Sequence, residues 1–286
     1  MVAADIAMFA GFSAMWLKIS SLCFNNFSCP DHLDPKNNNG KKTKTYYDYY
    51  GNYVSICHAV ISMILCTIVF VTEGLTFGQP NSLATKIAIY NSFAYFVYDT
   101  IISEIHRYNT LAMSLHHVGA LICTGVPCFT GANGCELAVS LIIAEVSNPF
   151  NLYREILRHK KQDGSKQYLQ TSLSFACFFI LSRFIAFPIV LAQMYPSQSH
   201  LALKMAIALV WFVSWHWLFV IFNFAVKELK VFTDNNEKRP NVSNVWTTIY
   251  ALLSSLRKNR TFLLAFYAGS FWLSFGTLYL SHTRRE

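Results

Sequence analysis

Long apolar runs alternate with polar loops along the whole chain. A helix needs about 20 mostly apolar residues to cross the hydrocarbon core of a bilayer. Runs of this kind predict membrane-spanning helices at residues 2–24, 53–72, 84–105, 110–130, 135–152, 171–195, 204–226 and 262–281. The fifth run is the shortest, and it ends at Pro149. The pattern therefore predicts an all-α integral membrane protein with about eight transmembrane helices.

The basic residues lie mostly in alternate loops, which supports this assignment. If the spans alternate in direction, loops 25–52, 106–109, 153–170 and 227–261 share one side of the membrane, and they contain 17 of the 23 Lys and Arg residues. Only four lie on the other side. Positively charged loops stay on the cytoplasmic or matrix side of a membrane. We therefore expect the large loops on this inner side and both termini on the opposite side.

The composition agrees with a bilayer environment. The chain is 53% hydrophobic and only 13% charged, whereas soluble domains are about one quarter charged. The net charge of +8 would suggest nucleic acid in a soluble protein. Because the basic residues here lie between apolar spans, we expect membrane lipids as partners, with anionic head groups near the basic loops, and no nucleic acid.

Two segments between the spans have a character of their own. Tyrosines crowd residues 46–53, where an aromatic belt at the membrane interface is expected. Residues 244–256 place apolar side chains at helical spacing, which predicts an amphipathic helix on the inner membrane surface or against a partner subunit.

Several ionisable residues lie inside the predicted spans, where they are costly and therefore candidates for function. They are His58, Asp99, Glu104, His116, His117, Glu145, Arg183 and His216. At 1.5 Å per residue, His58, Asp99, the His doublet and Glu145 all lie about 8–10 Å from the inner face, His216 about 15 Å and Arg183 about 20 Å. Four neighbouring spans thus offer polar groups at one depth.

This arrangement is suited to general base chemistry. The short loop after the third span makes spans three and four antiparallel neighbours, so Asp99 can orient His116 or His117 as a base toward a lipid hydroxyl or amine. A metal site is disfavoured, because adjacent helical residues point about 100° apart and make poor co-ligands. The alternative is structural: a buried His–Asp pair can simply tie two helices together. We expect His58, Glu145, Arg183 and His216 to add polar lining to a lipid cavity.

Particular sequence segments resemble a known family. Tyr95–Ile102, reading Y-F-V-Y-D-T-I-I, is followed by the His116–His117 doublet, and His58 lies near the start of span two. These features resemble the TLC domain shared by TRAM, Lag and CLN proteins. Ile143–Glu155 is similar to the transmembrane-56-like branch of that family. The resemblance covers about residues 45–230, which leaves 1–44 as an N-terminal span and polar loop, and 231–286 as an interfacial helix and C-terminal span.

The resemblance implies a TLC-type helical bundle of about six core helices around a lipid-accessible cavity. Family members include ceramide synthases, in which the His doublet is essential and a His-Asp-x-x-Asp stretch follows on the next helix. Here the matching stretch reads Ala144-Glu145-Val146-Ser147-Asn148. The second synthase motif is absent, which argues against ceramide synthesis but not against a pocket that holds an acyl chain.

Two hypotheses for function follow. The first is a TLC-domain protein that binds, senses or handles a lipid, with acyl transfer at His116, His117 and Asp99 as its enzymatic form; only that form would need a cofactor, acyl-CoA. The second is a non-catalytic accessory subunit of a large membrane complex, such as a mitochondrial inner-membrane assembly. The endoplasmic reticulum is the first expectation for location, and the mitochondrial inner membrane is the second.

Overall fold

The chain is helical in the part that the structure, a computed structural model, describes: residues 2–236, 251, 254–255 and 259–276. The helices are α1 (Val2–Asn26), α2 (Lys44–Glu73), α3 (Leu83–His106), α4 (Leu111–Thr130), α5 (Gly134–Glu145), α6 (Asn148–His159), α7 (Lys166–Ile180), α8 (Phe187–Met194), α9 (Leu201–Asn236) and α10 (Arg260–Phe271). A π-helical segment, Leu181–Ala186, joins α7 to α8, and a second one, Trp272–Gly276, follows α10. In these ranges the only strand-like pairing is one isolated bridge between Pro80 and Ala132.

Local sequence signals determine where the helices at the candidate site begin and end. The side chains of Thr43, Ser82 and Thr110 accept hydrogen bonds from backbone N–H groups three residues later, at the starts of α2, α3 and α4. Such caps satisfy donors that the first helical turn leaves free. At the other ends, Gly74 closes α2 with φ +68°, and Arg107 closes α3 in the left-handed conformation. The loop between α3 and α4 is therefore short and well defined.

Within the described residues, five helical segments are long and apolar enough to cross a membrane. They are Ala3–Asn26, Lys44–Glu73, Leu111–Thr130, Lys166–Met194 and Leu201–Val226. They correspond to the first, second, fourth, sixth and seventh predicted spans. The chain is therefore an α-helical membrane protein, although the predicted count of eight spans is not confirmed.

The other three predicted spans differ from that pattern for separate reasons. Helix α3 is long enough at 24 residues, but it contains Lys86, Asp99 and Glu104 and is not among the five. The predicted span 135–152 is divided into two 12-residue helices, α5 and α6, with the break at Val146–Ser147. Pro149, at the start of α6, disfavours helical continuation through the residues before it.

The eighth predicted span is represented by a shorter apolar helix, Thr261–Gly276. Residues 277–281 of that prediction lie outside the described residues, as does most of the predicted amphipathic helix at 244–256.

The chain divides into two compact units, residues 1–207 and 208–286. In the first unit, α2 is central and packs against α1, α3, α5 and α6, while α3 also packs against α1 and α4. In the second unit, aromatic side chains of α9 and α10 contact each other, as in the edge-to-face pair of Trp215 and Phe266. The domain boundaries predicted at residues 44 and 230 and the predicted orientation in the membrane stay predictions.

The tyrosine-rich start of α2 is more buried than an aromatic belt would be. Tyr49 is fully buried and Tyr50 is 3% exposed. Tyr49 Oη donates to the carbonyl of Ser28 at 3.0 Å, and Tyr50 Oη donates to the carbonyl of Phe27 at 3.1 Å. A buried tyrosine hydroxyl needs a hydrogen-bond partner, and here the backbone carbonyls after α1 provide it. The two hydrogen bonds therefore join the segment after α1 to α2.

Candidate functional site

Asp99 and His117 form a buried pair between α3 and α4. Asp99 Oδ2 lies 3.3 Å from His117 Nε2, slightly beyond the 3.2 Å expected for a strong hydrogen bond. The Asp99 side chain is 16% exposed and that of His117 is 6% exposed. On the other side of the ring, Asn109 Nδ2 lies 3.5 Å from His117 Nδ1. The short α3–α4 loop thus brings a carboxylate and an amide to the two nitrogens of one imidazole.

This pair lies in the wall of a cavity of about 150 Å³ that is partly open to the outside. The walls come from the first half of α2, the second half of α3, the α3–α4 loop, the start of α4, and α6. The lining residues are Asp48, Gly51, Asn52, Ser55, Asp99, Tyr108, Asn109, Thr110, Met113, His117 and Leu152. Most of them have polar side chains, so the cavity can offer hydrogen bonds to a bound group.

The two members of the His doublet face different surroundings. His117 lines the cavity, whereas His116 is not among the lining residues, and its ring lies 6.5 Å from the ring of Phe96 on α3. The two imidazole rings are 6.0 Å apart between centroids, with their planes at 55°. This divergence follows from the 100° turn between adjacent helical positions. His117 is therefore the member of the doublet that a bound molecule in this cavity would meet.

His58 lies in a packed polar layer deeper in the bundle. It is 1% exposed, and its ring stacks on that of Tyr95 at 3.7 Å between centroids. His58 Nε2 lies 2.8 Å from Ser62 Oγ, and His58 Nδ1 lies 3.9 Å from Glu145 Oε1. These contacts join α2 to α3 and α5. His58 does not line the cavity beside His117.

Glu145 and Arg183 also lie outside the lining of this cavity, close to the break between α5 and α6. Asn148 Nδ2 donates to Glu145 Oε2 at 2.8 Å. Arg183, 2% exposed within the first π-helical segment, donates from Nη2 to the carbonyl of Ala144 at 3.1 Å. Arg183 thus supplies a donor to a backbone carbonyl that a continuous helix would satisfy itself. A role of Glu145 and Arg183 as lipid-cavity lining stays a prediction.

His216, the fourth residue predicted as cavity lining, belongs to the second unit of the chain. Its Nδ1 lies 2.9 Å from the hydroxyl of Tyr267 on α10. This contact joins two helices of that unit, and a lining role for His216 is likewise untested.

Sequence reasoning missed a second carboxylate–imidazole pair at the same cavity. Asp48, on the first turns of α2, lines the cavity, and its Oδ2 lies 3.0 Å from His159 Nε2 at the end of α6. His159 is 9% exposed. The two residues are 111 positions apart in the chain, so no local motif could have linked them. The cavity therefore has two imidazole-paired carboxylates, Asp48 and Asp99.

Chemically, the arrangement can accept, donate or transfer a proton at His117. An imidazole paired with a carboxylate has a fixed orientation and a stabilised charged form, as general base chemistry requires. Within the described ranges, no group of three His, Cys, Asp or Glu side chains is placed to hold a metal ion.

Comparison with protein families identifies a domain in this chain. A model of the TLC domain matches residues 51–256, a range that includes the cavity-lining residues from Gly51 onward and both members of the His doublet. No curated protein and no solved structure matches the chain. The matched range is well over half of the 286 residues. The chain is therefore a membrane protein of the TLC-domain family.

Proposed function

We propose that this protein binds a lipid by holding the lipid's polar head in the cavity beside His117. The observation that supports this most directly is the position of the Asp99–His117 pair in the wall of a cavity that is partly open to the outside. A cavity of about 150 Å³ is large enough for a molecule about the size of benzene. It admits a head group of a few heavy atoms, while the acyl chains stay outside, along the apolar helices.

Binding or sensing of the lipid is a better match to the site than acyl transfer. In the resembled synthases a second acidic motif accompanies the His doublet, and its place here is taken by residues 144–148. In this stretch Asn148 donates a hydrogen bond to Glu145, and Glu145 also contacts His58 in the packed layer. If acyl transfer does occur, His117 would be the base, Asp99 its orienting partner and acyl-CoA the acyl donor.

The finer assignments from the sequence belong to the same proposal. The Ile143–Glu155 segment favours the transmembrane-56-like branch of the family. The endoplasmic reticulum remains the first expectation for location and the mitochondrial inner membrane the second.

The second candidate function is that of a non-catalytic subunit in a large membrane complex. The packed layer of His58, Tyr95, Ser62 and Glu145 supports this candidate, because it joins three helices without needing a ligand. In such a protein the Asp99–His117 pair would be one more link between helices.

Native mass spectrometry on protein purified in a mild, uncharged detergent distinguishes the two candidates. We expect a protein ion with one bound lipid, and lipid extraction should show a single lipid class enriched over the bulk membrane. A large assembly that contains this chain, in which no lipid class is enriched with it, would contradict the lipid-binding proposal and support the subunit.

A further inference from the structure

Within the described part of the chain, the cavity beside His117 is lined by acidic side chains and by no basic Lys or Arg side chain. Two of its lining side chains, Asp48 and Asp99, are carboxylates. No Lys or Arg is among the lining residues, all of which lie in the described range 48–152. Arg107, next to the lining residue Tyr108, is exposed and lies outside the lining, and Lys44, one turn before Asp48, is also exposed.

While both carboxylates are ionised, the net charge of the two pairs is negative or zero in every protonation state of the histidines. Asp99 is paired with His117, and Asp48 is paired with His159. With both imidazoles neutral the two pairs are negative, and with both protonated they are neutral. In neither state is the net charge of the two pairs positive.

A third carboxylate, that of Glu104, adds negative charge just outside the cavity wall. Glu104 Oε1 accepts hydrogen bonds from Asn109 Nδ2 at 3.2 Å and from Ser114 Oγ at 2.9 Å. Asn109 is a lining residue, so Glu104 occupies one of its donors. The amide of Asn109, which also donates to Ser103 Oγ at 2.7 Å, is therefore already engaged by neighbouring oxygens.

We propose that Asp48, held in place by His159, is a specificity-determining residue that excludes anionic head groups from the cavity. The ligand is then a molecule whose polar end is uncharged or cationic and presents O–H or N–H donors. This inference rests on the proposed lipid binding. A phosphate or carboxylate would lose its hydration and meet two carboxylates without a compensating cation, which is costly in a partly buried site.

Asp48 is suited to this role by its position. Its side chain is 37% exposed, against 16% for Asp99. It is thus the more accessible of the two lining carboxylates. The contact with His159 at 3.0 Å fixes the direction of the carboxylate, so His159 acts as a positioning residue.

The test uses three alkyl probes of equal chain length: a fatty alcohol, an alkylamine and an alkyl phosphate. Their affinities for the full-length protein are measured in an uncharged detergent near neutral pH. We expect the alcohol and the amine to bind about tenfold or more tightly than the phosphate. In the Asp48→Asn variant, the affinity for the alkyl phosphate should come to within about threefold of the affinity for the alcohol. In the His159→Gln variant, the difference between these two affinities should decrease by a smaller amount.

Asp163→Asn is the matched control, because it removes the same charge from an exposed position in the α6–α7 loop. It should leave the ratio of affinities unchanged. Should Asp48→Asn fail to fold, as judged by gel filtration and thermal unfolding, His159→Gln still tests the role of Asp48, because it replaces the imidazole that holds the carboxylate; an unchanged ratio of affinities in that variant would contradict the proposal.

The outcomes separate this inference from the proposed function. If the alkyl phosphate binds the wild type as tightly as the alcohol, charge exclusion is wrong while lipid binding stands. If no alkyl probe binds, both proposals fail. If ethanolamine competes at concentrations similar to those of the alkylamine, the ligand is a soluble molecule. This result would overturn the proposed lipid binding but would retain the charge selectivity of the cavity.

Discussion

Replacing His117 with alanine should weaken lipid binding by about ten- to a hundredfold and leave the protein folded. His117 is the member of the doublet in the cavity wall, where Asp99 orients its ring. A hydrogen bond to a charged or strongly polarised group is worth about 1.5–3 kcal/mol, which corresponds to this range of affinity. Titration of the enriched lipid into delipidated protein, followed by native mass spectrometry, measures the loss.

The neighbouring His116 provides the control. His116→Ala should change lipid affinity by no more than about threefold, because this ring contacts Phe96 and does not line the cavity. Asp99→Asn should give a loss intermediate between the two histidine variants, since the amide keeps the shape of the carboxylate but not its charge. If His116→Ala removes binding while His117→Ala retains it, the cavity is not the site.

Replacing His58 with alanine should instead lower the free energy of unfolding, by about 3–5 kcal/mol. The ring is 1% exposed and stacks on Tyr95, so its removal leaves a cavity of aromatic size. It also takes a partner from Ser62 and Glu145, both in the packed layer. Reversible unfolding of the detergent-solubilised protein, followed by circular dichroism, gives the change.

Val60→Ala is the matched control on the same helix, because Val60 is 41% exposed. It should cost less than about 1 kcal/mol. The His58→Ala variant also distinguishes a structural role of His58 from a role in contacting the lipid. If His58→Ala leaves the free energy of unfolding unchanged but removes lipid binding, His58 contacts the ligand, as the sequence analysis expected, and the packed layer is not structural.

The sequence predicted the apolar helices well, because hydrophobic length is a direct requirement of the bilayer. The span predicted at 110–130 is α4, Leu111–Thr130, and the span at 53–72 lies within α2, which begins earlier at Lys44. Hydropathy alone could not fix the number of crossings. The run at 135–152 looks continuous by composition, but helical hydrogen bonding is interrupted before Pro149, so α5 and α6 are separate helices.

The candidate site was predictable only in part. The closeness of Asp99 to the His doublet followed from equal depth and a short loop, and in the structure His117 is the nearer partner. Depth does not reveal the direction in which a side chain points around its helix. His58 and Glu145 share that depth, yet they face the packed layer instead of the cavity beside His117. Asp48 and His159 were missed because their contact joins segments 111 residues apart.

Photo-crosslinking from the head group of the bound lipid tests the central claim most directly. The lipid class enriched with the purified protein would be synthesised with a photoactivatable group on its polar end, bound to the wild type and irradiated, and the modified peptides identified by mass spectrometry. We predict labels on the peptides that contain the lining residues Asn52 and Met113, with competition by the unlabelled lipid. Labels confined to segments away from the cavity, such as the second half of α2 beyond Val60, would contradict the placement of the head group beside His117.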